Sequence, residues 1–139
     1  MIDKLIEYNF ESYEYGLISS ARYYKKPIII FNSASLCGYT KQFADFQKIH
    51  EDGKIIPIAL PTNEFGSQEP GDNYEITQFA CNTYKVTFPI CLKTDLTHLL
   101  FTRYGKPNWN FNKYLFDDKH NFVARFDSEV QPMELLKHV

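Results

Sequence analysis

The sequence lacks strong charge of one sign and long hydrophobic runs, and each absence excludes a class of protein. It carries 15 Lys and Arg against 17 Asp and Glu, for a net charge of −2. A chain so close to neutral has no general attraction for nucleic acid or anionic membranes. Its apolar runs, such as residues 27–31, are far shorter than the roughly 18 residues that a membrane span needs. We therefore expect no membrane span and no polyanion partner.

Cysteines are also few, and no secretory leader is evident. The three cysteines are Cys37, Cys81 and Cys91, and none has C-x-x-C or Cys/His metal spacing. The first seven residues alternate charged and apolar types, unlike the hydrophobic stretch of a leader. We therefore expect a reducing, cytoplasmic location without a metal or cofactor, in which the cysteines are either buried or redox-active.

The length of 139 residues and the lack of repeats or linkers predict a single domain over residues 1–139, and hydrophobic periodicity predicts alternating strands and helices within it. Continuous β-branched runs are typical of buried strands, and apolar residues recurring every three or four positions are typical of helices. The predicted strands are residues 28–31, 55–60, 88–92, 109–116 and 122–126, and the predicted helices are residues 40–50, a segment from 72 onward, 97–104 and 131–138. This order predicts a central mixed β-sheet flanked by helices, in an α/β or α+β arrangement, and it is the order of an α/β, thioredoxin-like fold.

Cys37 lies where open α/β sheets place their functional sites, just after the first buried strand and before a helix. Free amides and the dipole at a helix N-terminus favour a thiolate there. Considered alone, a single cysteine is more often a small buried residue in a turn. The interpretation therefore depends on the rest of the chain.

Three blocks of sequence, which follow one another along the chain, favour a catalytic role for Cys37 over a structural one. They are residues 34–40 (ASLCGYT), residues 63–71 (NEFGSQEPG) and residues 109–113 (WNFNK). Together they resemble the glutathione peroxidase family. The resemblance runs from about residue 27 to about residue 126 and is weakest near the N-terminus. It implies a thioredoxin-like fold and reduction of hydrogen peroxide or organic hydroperoxides.

The resemblance assigns roles position by position. It implies that Cys37 is the peroxidatic nucleophile and that Gln68, Trp109 and Asn110 complete a catalytic tetrad. These residue types suit the chemistry, because amide and indole N–H groups donate to a thiolate and to the departing oxygen anion. Asn63 and Glu69 are expected to fix their loop through backbone hydrogen bonds.

The remaining cysteines are expected to differ from each other. Cys81 lies about 150° from the apolar stripe of its helix and so should face solvent. Residues 79–85 (FACNTYK) resemble the segment of thioredoxin-dependent, two-cysteine members that carries the resolving cysteine, which implies that role for Cys81. Cys91 is expected to be buried. The fold also suggests that Pro89 is a cis-proline.

Departures from the family pattern leave alternatives open. Thr62 stands where many members have a third cysteine, and Glu64 replaces a usual glutamine. Residues 94–108 lack the insertion through which tetrameric relatives associate, which favours a monomer. The reductant is expected to be thioredoxin, and the alternatives are a glutathione-dependent one-cysteine peroxidase, a peroxide sensor or redox relay, and a binding module without chemistry.

Overall fold

The computed structural model describes residues 4–5 and 8–139, in which strands and helices alternate much as the sequence predicts. The elements in chain order are β1 (Asn9–Ser12), β2 (Gly16–Ser19), β3 (Ile28–Ser33), α1 (Phe43–Asp52), β4 (Ile56–Pro61), α2 (Asn73–Tyr84), α3 (Leu99–Tyr104), β5 (Lys113–Phe116) and β6 (Phe122–Phe126). Short 3₁₀ helices span Ser20–Tyr23, Thr40–Gln42 and Pro132–His138.

The main sheet has four strands in the order β4-β3-β5-β6. β3 pairs in parallel with β4 and antiparallel with β5, so the sheet is mixed, as predicted. β1 and β2 form a separate antiparallel hairpin. The central strand β3 is buried along its whole length, which explains its continuous apolar sequence.

The two faces of β3 support two hydrophobic cores. Ile29 and Phe31 belong to a cluster that includes residues of α1 and α2, whereas Ile28 and Ile30 belong to a cluster that includes residues of α3. Phe31 stacks on Phe46 of α1 with the ring centroids 3.8 Å apart. The alternation of side chains along a strand thus covers both faces of the sheet.

The predicted strand over residues 88–92 is wrong in extent. Only two isolated bridges form there, between Ala59 and Ile90 and between Ser12 and Cys91. The amide of Ala59 donates to the Pro89 carbonyl at 3.0 Å, but proline itself has no N–H with which to continue a ladder. The expectation of a cis bond at Pro89 is also wrong, because every described peptide bond is trans.

The predicted strand over residues 109–116 is too long. Only Lys113–Phe116 pairs in the sheet, while residues 109–112 form a turn. The strand is interrupted at Phe111, which has a φ of +64°, a left-handed conformation that ends an extended strand. Trp109 and Asn110 are therefore presented by a turn at the end of the sheet.

The helices follow the sequence with changes at their ends. α2 begins with the predicted capping box, in which Asp72 and Glu75 each accept from the other's backbone amide. α3 starts at Leu99, two residues late, because the His98 side chain accepts from the Leu100 amide and caps the helix. The final helix is 3₁₀ and starts at Pro132. None of the described helices has the length and apolar character needed to cross a bilayer.

Candidate active site

Cys37 is held in a tight turn directly after β3. Its amide donates to the Thr40 hydroxyl at 3.0 Å, and that hydroxyl donates to the Ala34 carbonyl at 2.7 Å. The Tyr39 amide donates to the Cys37 sulfur at 3.4 Å. The thiol is partly exposed and precedes the Thr40–Gln42 turn that leads into α1. The turn thus presents one sulfur atom, with a backbone donor, at the start of a helical segment.

The loop after β4 brings Gln68 to this turn. Gly66 and Ser67 have φ values of +67° and +50°, and the Asn63 side chain accepts from the Glu69 amide at 2.9 Å, as the sequence predicts for Asn63. The Leu36 amide then donates to the Gln68 carbonyl at 3.0 Å. Gln68 is therefore joined to the residue immediately before Cys37.

The turn at residues 109–112 is fixed by Asn32, which the sequence analysis did not single out. The Asn32 side chain donates to the Trp109 carbonyl at 2.8 Å and accepts from the Asn112 amide at 2.9 Å. Its backbone carbonyl accepts from Phe111 at 2.6 Å. One sequence signal could have revealed it, because Asn32 is a polar residue that directly follows four apolar residues of a buried strand.

Gln68, Trp109 and Asn110 meet in the structure. The Asn110 amide nitrogen donates to the Gln68 side-chain oxygen at 3.0 Å and to the Phe65 carbonyl at 3.2 Å. Trp109 lies against Gly66, where an added Cβ would be 3.0 Å from the indole Cη2 atom and 3.4 Å from the Gln68 side chain. Three residues from two distant blocks of sequence therefore form one cluster.

The cluster leaves donors available beside the Cys37 turn. Within the described residues, the Gln68 amide nitrogen and the Trp109 indole N–H donate no hydrogen bond, and the hydrogen bond to the Cys37 sulfur comes from Tyr39. Trp109 is 36% exposed. Free amide and indole N–H groups are the kind of donor that stabilises an oxygen atom as it gains negative charge.

A buried polar network supports the turn from below. Ser128 donates from its hydroxyl to the Asn110 carbonyl at 2.5 Å, and its own carbonyl accepts from Lys113 at 2.8 Å and from Gln42 at 2.9 Å. Burial lowers the pKa of the Lys113 amine to about 7, although the negative charges of Glu129, Glu134 and Asp127 act to raise it. Ser128 had no recognisable sequence signal, because its role depends on contacts with distant residues.

Cys81 lies on α2, and its thiol makes two contacts that the sequence did not predict. Its sulfur is 3.5 Å from the Glu14 carboxylate oxygen and 3.6 Å from the Val86 carbonyl oxygen. The residue is partly exposed rather than fully open to solvent. Burial raises the pKa of the Cys81 thiol, and the Glu14 carboxylate raises it further. The tip of the β1–β2 hairpin therefore contacts the helix that carries Cys81.

The other features lie away from Cys37. Cys91 is buried, as predicted, and burial raises the pKa of its thiol to about 12. All three cysteines are free thiols. A pocket of about 840 Å³ is lined by Pro27, which precedes β3, and by residues of α1 and the C-terminal turn. It therefore opens at the opposite end of β3 from Cys37.

A protein-family comparison decides the assignment, because the glutathione peroxidase family model matches residues 6–98. The chain belongs to the glutathione peroxidase family. It is 36% identical over 135 residues to "Probable phospholipid hydroperoxide glutathione peroxidase" of Citrus sinensis, covering 84% of this chain and 80% of that protein. It is 34% identical over 127 residues to "Glutathione peroxidase-like peroxiredoxin 2" of Saccharomyces cerevisiae, covering 79% and 78%.

Solved structures place this glutathione peroxidase family member in the thioredoxin-like fold. The crystal structure described as "Trgpx in apo form" aligns with a TM-score of 0.73 at 18% identity and covers 98% of this chain and 93% of that one. A thioredoxin-like protein from Aeropyrum pernix aligns with a TM-score of 0.72 at 15% identity and covers 96% and 89%. The fold class predicted from the order of the elements is thus confirmed.

Proposed function

We propose that the protein is a thiol peroxidase that reduces hydrogen peroxide or organic hydroperoxides through Cys37. The observation that carries this proposal is that Gln68 joins the Cys37 turn to the turn at residues 109–112. The Leu36 amide donates to the Gln68 carbonyl, and the Asn110 side-chain amide donates to the Gln68 side-chain oxygen. Membership of the glutathione peroxidase family and the names of its relatives support it. Cys37, Gln68, Trp109 and Asn110 form the catalytic centre of this proposal.

In the first step the Cys37 thiolate attacks one peroxide oxygen. The O–O bond breaks, a Cys37 sulfenic acid forms, and the other oxygen leaves as water or an alcohol after it takes up a proton. In this proposal the Gln68 amide and the Trp109 indole donate to that departing oxygen. Removing one such donor to a charged group costs about 1.5–3 kcal/mol, so Gln68→Ala and Trp109→Phe should each slow this step roughly ten- to a hundredfold.

In the second step Cys81 acts as the resolving cysteine. Its thiol condenses with the sulfenic acid, which forms a Cys37–Cys81 disulfide and releases water. A thioredoxin dithiol then reduces this disulfide by exchange and becomes oxidised itself. The similarity to a yeast relative named as a peroxiredoxin supports a protein reductant. The proposal includes a monomer that works in the reducing cytoplasm.

Stopped-flow fluorescence of Trp109, the single tryptophan, tests the first step directly. Peroxide should change the emission of the wild-type protein and of a Cys91→Ala control, because Cys91 is buried in one hydrophobic cluster whereas Cys37 packs against the other. Cys37→Ser should abolish the change while the far-ultraviolet circular dichroism stays the same. Peroxide turnover that survives in Cys37→Ser would end the proposal.

The reductant is tested with Cys81→Ser. This variant should consume about one equivalent of peroxide, accumulate a Cys37 sulfenic acid, and fail to turn over with thioredoxin. If it turned over with thioredoxin at the wild-type rate, Cys81 would not be resolving. If Cys81→Ser turned over with glutathione at the wild-type rate, the glutathione-dependent one-cysteine mechanism would replace the one proposed here.

A further inference from the structure

Glu14 lies at the tip of the β1–β2 hairpin, between two tyrosines that are each bonded to the chain that follows α2. The Tyr13 amide donates to the Ile90 carbonyl at 3.1 Å. The Tyr15 hydroxyl donates to the Thr87 carbonyl at 2.8 Å. Both neighbours of Glu14 are therefore held in place, and the hairpin tip lies across the C-terminal end of α2.

The two points to which the tip is bonded are themselves fixed by the main body of the domain. The Thr87 amide donates to the Gln47 side chain of α1 at 2.8 Å. Ile90 forms an isolated bridge with Ala59 of the edge strand β4. The hairpin tip is therefore anchored on a helix and a strand that do not belong to α2.

The anchored tip brings the Glu14 carboxylate to the Cys81 thiol. The Cys81 sulfur is 3.5 Å from a Glu14 carboxylate oxygen and 3.6 Å from the Val86 carbonyl oxygen. A thiol can donate its proton to these oxygens, whereas a thiolate has no proton to donate and would face two acceptors. The surroundings of the sulfur therefore favour the neutral thiol.

The charges around Cys81 act in the same direction. Burial raises the pKa of its thiol, and the Glu14 carboxylate raises it further. The nearest cation along α2 is Lys85, whose ammonium group donates to the Asn82 carbonyl at 3.0 Å. Among the described residues, Glu14 is thus the charged group that acts on the Cys81 thiol.

We propose that Glu14 is a positioning residue for the resolving cysteine, because the hairpin tip holds its carboxylate against the Cys81 S–H group and keeps Cys81 a neutral thiol while α2 is in place. The inference rests on the proposed resolving role of Cys81. When α2 opens, Cys81 leaves Glu14 and loses its proton to water more readily. The Cys81 thiolate then attacks the sulfur of the Cys37 sulfenic acid, so that the S–S bond forms, the S–O bond breaks, and the departing hydroxide takes up a proton to become water.

This arrangement sets the order in which the two cysteines react. Cys37 and Cys81 are both partly exposed free thiols, so exposure alone does not distinguish them. The thiolate is the reactive form of a cysteine. A Cys81 that stays protonated in α2 leaves the first reaction with peroxide to Cys37, and Cys81 becomes a nucleophile only after it has left the hairpin.

The test measures iodoacetamide alkylation of Cys81 from pH 7 to pH 10.5 in a Cys37→Ser background. Cys81 is then the only accessible thiol, because Cys91 is buried. Glu14→Gln keeps an acceptor oxygen and removes the charge, and two unit charges about 4 Å apart in water change such an equilibrium about fivefold. We therefore expect Glu14→Gln to speed alkylation about fivefold at pH 7.5. The ratio of the two rates should fall toward 1 as the pH rises and Cys81 ionises in both proteins.

A second variant tests the anchoring of the tip without changing a charge. Tyr15→Phe removes the hydroxyl that bonds the Thr87 carbonyl, so the carboxylate of Glu14 should be held less closely to Cys81. Alkylation at pH 7.5 should become faster, although by less than the roughly fivefold effect of Glu14→Gln. Glu14→Gln should also have a smaller effect in the Tyr15→Phe protein than in its presence, because both changes act through the same contact. Additive effects would show that the tip does not position the carboxylate.

Glu11→Gln is the matched control, because Glu11 is an exposed glutamate of the same hairpin and the same charge is removed. It should leave the alkylation rate unchanged. A Glu14→Gln ratio near 1 at pH 7.5 would overturn the proposal, and so would a ratio that stays constant with pH, since that would reflect access to the sulfur and not its ionisation. None of these measurements uses peroxide, so failure of the proposed function would be seen separately, as peroxide turnover by Cys37→Ser or wild-type turnover with thioredoxin by Cys81→Ser.

Discussion

Lys113→Met should stabilise the protein in a pH-dependent way, because Lys113 is a fully buried amine. Burial lowers its pKa from 10.5 to about 7. At 1.36 kcal/mol for each pKa unit, the charged form costs about 4–5 kcal/mol of folding free energy at pH 7 and below. The cost decreases as the pH rises toward 10.5, where the amine is neutral in both the folded and the unfolded chain.

The substitution also removes an interaction. The hydrogen bond from Lys113 to the Ser128 carbonyl, 2.8 Å long, contributes about 1.5 kcal/mol while the amine is charged and about 1 kcal/mol when it is neutral. The Gln42 amide, 2.9 Å from the same carbonyl, keeps that oxygen satisfied in the variant. The net expectation is that Lys113→Met is about 3 kcal/mol more stable than wild type at pH 6 and within about 1 kcal/mol of it at pH 9.5.

Urea unfolding at pH 6, 7.5 and 9.5 measures this difference, and comparison at each pH cancels the titration of all other groups. Lys106→Met is the control, because Lys106 is exposed and its substitution should leave the stability nearly unchanged at every pH. If Lys113→Met instead lowered stability by the same amount at pH 6 and 9.5, the reasoning would be refuted. The lysine would then contribute a favourable charge rather than an unfavourable one.

Three further expectations concern the site. Gly66→Ala should lower the free energy of unfolding by about 1 kcal/mol, because the φ of Gly66 is +67°. It should also shift the emission of Trp109, because the added Cβ meets the indole. The control Gly16→Ala has a similar φ of +70° but no neighbour within 4 Å, so it should leave the emission unchanged. Asn32→Leu should lower stability by roughly 2–4 kcal/mol in urea unfolding and slow the peroxide step, because it leaves buried groups of the Trp109 turn unpaired. Amide hydrogen exchange over residues 75–85 should accelerate on oxidation, since Cys81 must leave its present contacts to form a disulfide, and unchanged exchange would contradict that movement.

The order of the elements could be predicted because local patterns dominate in the buried strands and in α2. The four apolar residues that open β3 and the Asp72–Glu75 capping box each specify their structure without long-range information. The errors occur where a distant residue determines the conformation. The turn at residues 109–112 takes its shape from Asn32, which is some 80 positions earlier in the chain, and no local pattern of that segment encodes this contact.

The residues of the candidate site likewise divide into those that a sequence pattern could identify and those that only contacts in the fold reveal. Gln68, Trp109 and Asn110 could be selected because their blocks match a family pattern, and their roles remain predictions. Glu14 beside Cys81, and Ser128 beneath Asn110, could not be selected. A single exposed glutamate or buried serine has no sequence signature, because its importance arises only when the fold brings it to a cysteine or a turn.

The prolines of β4 have a consequence for self-association. β4 is an edge strand of the main sheet. The backbone N–H groups of its even-numbered residues point toward β3, as the hydrogen bond from the Ile56 amide to the Pro27 carbonyl shows. The outward positions are Pro57 and Pro61, which have no N–H, and Ala59, whose amide is already taken by Pro89. A strand from another molecule would find no free donor on this edge, so extension of the main sheet by strand addition is blocked there and would have to begin at its other edge, β6.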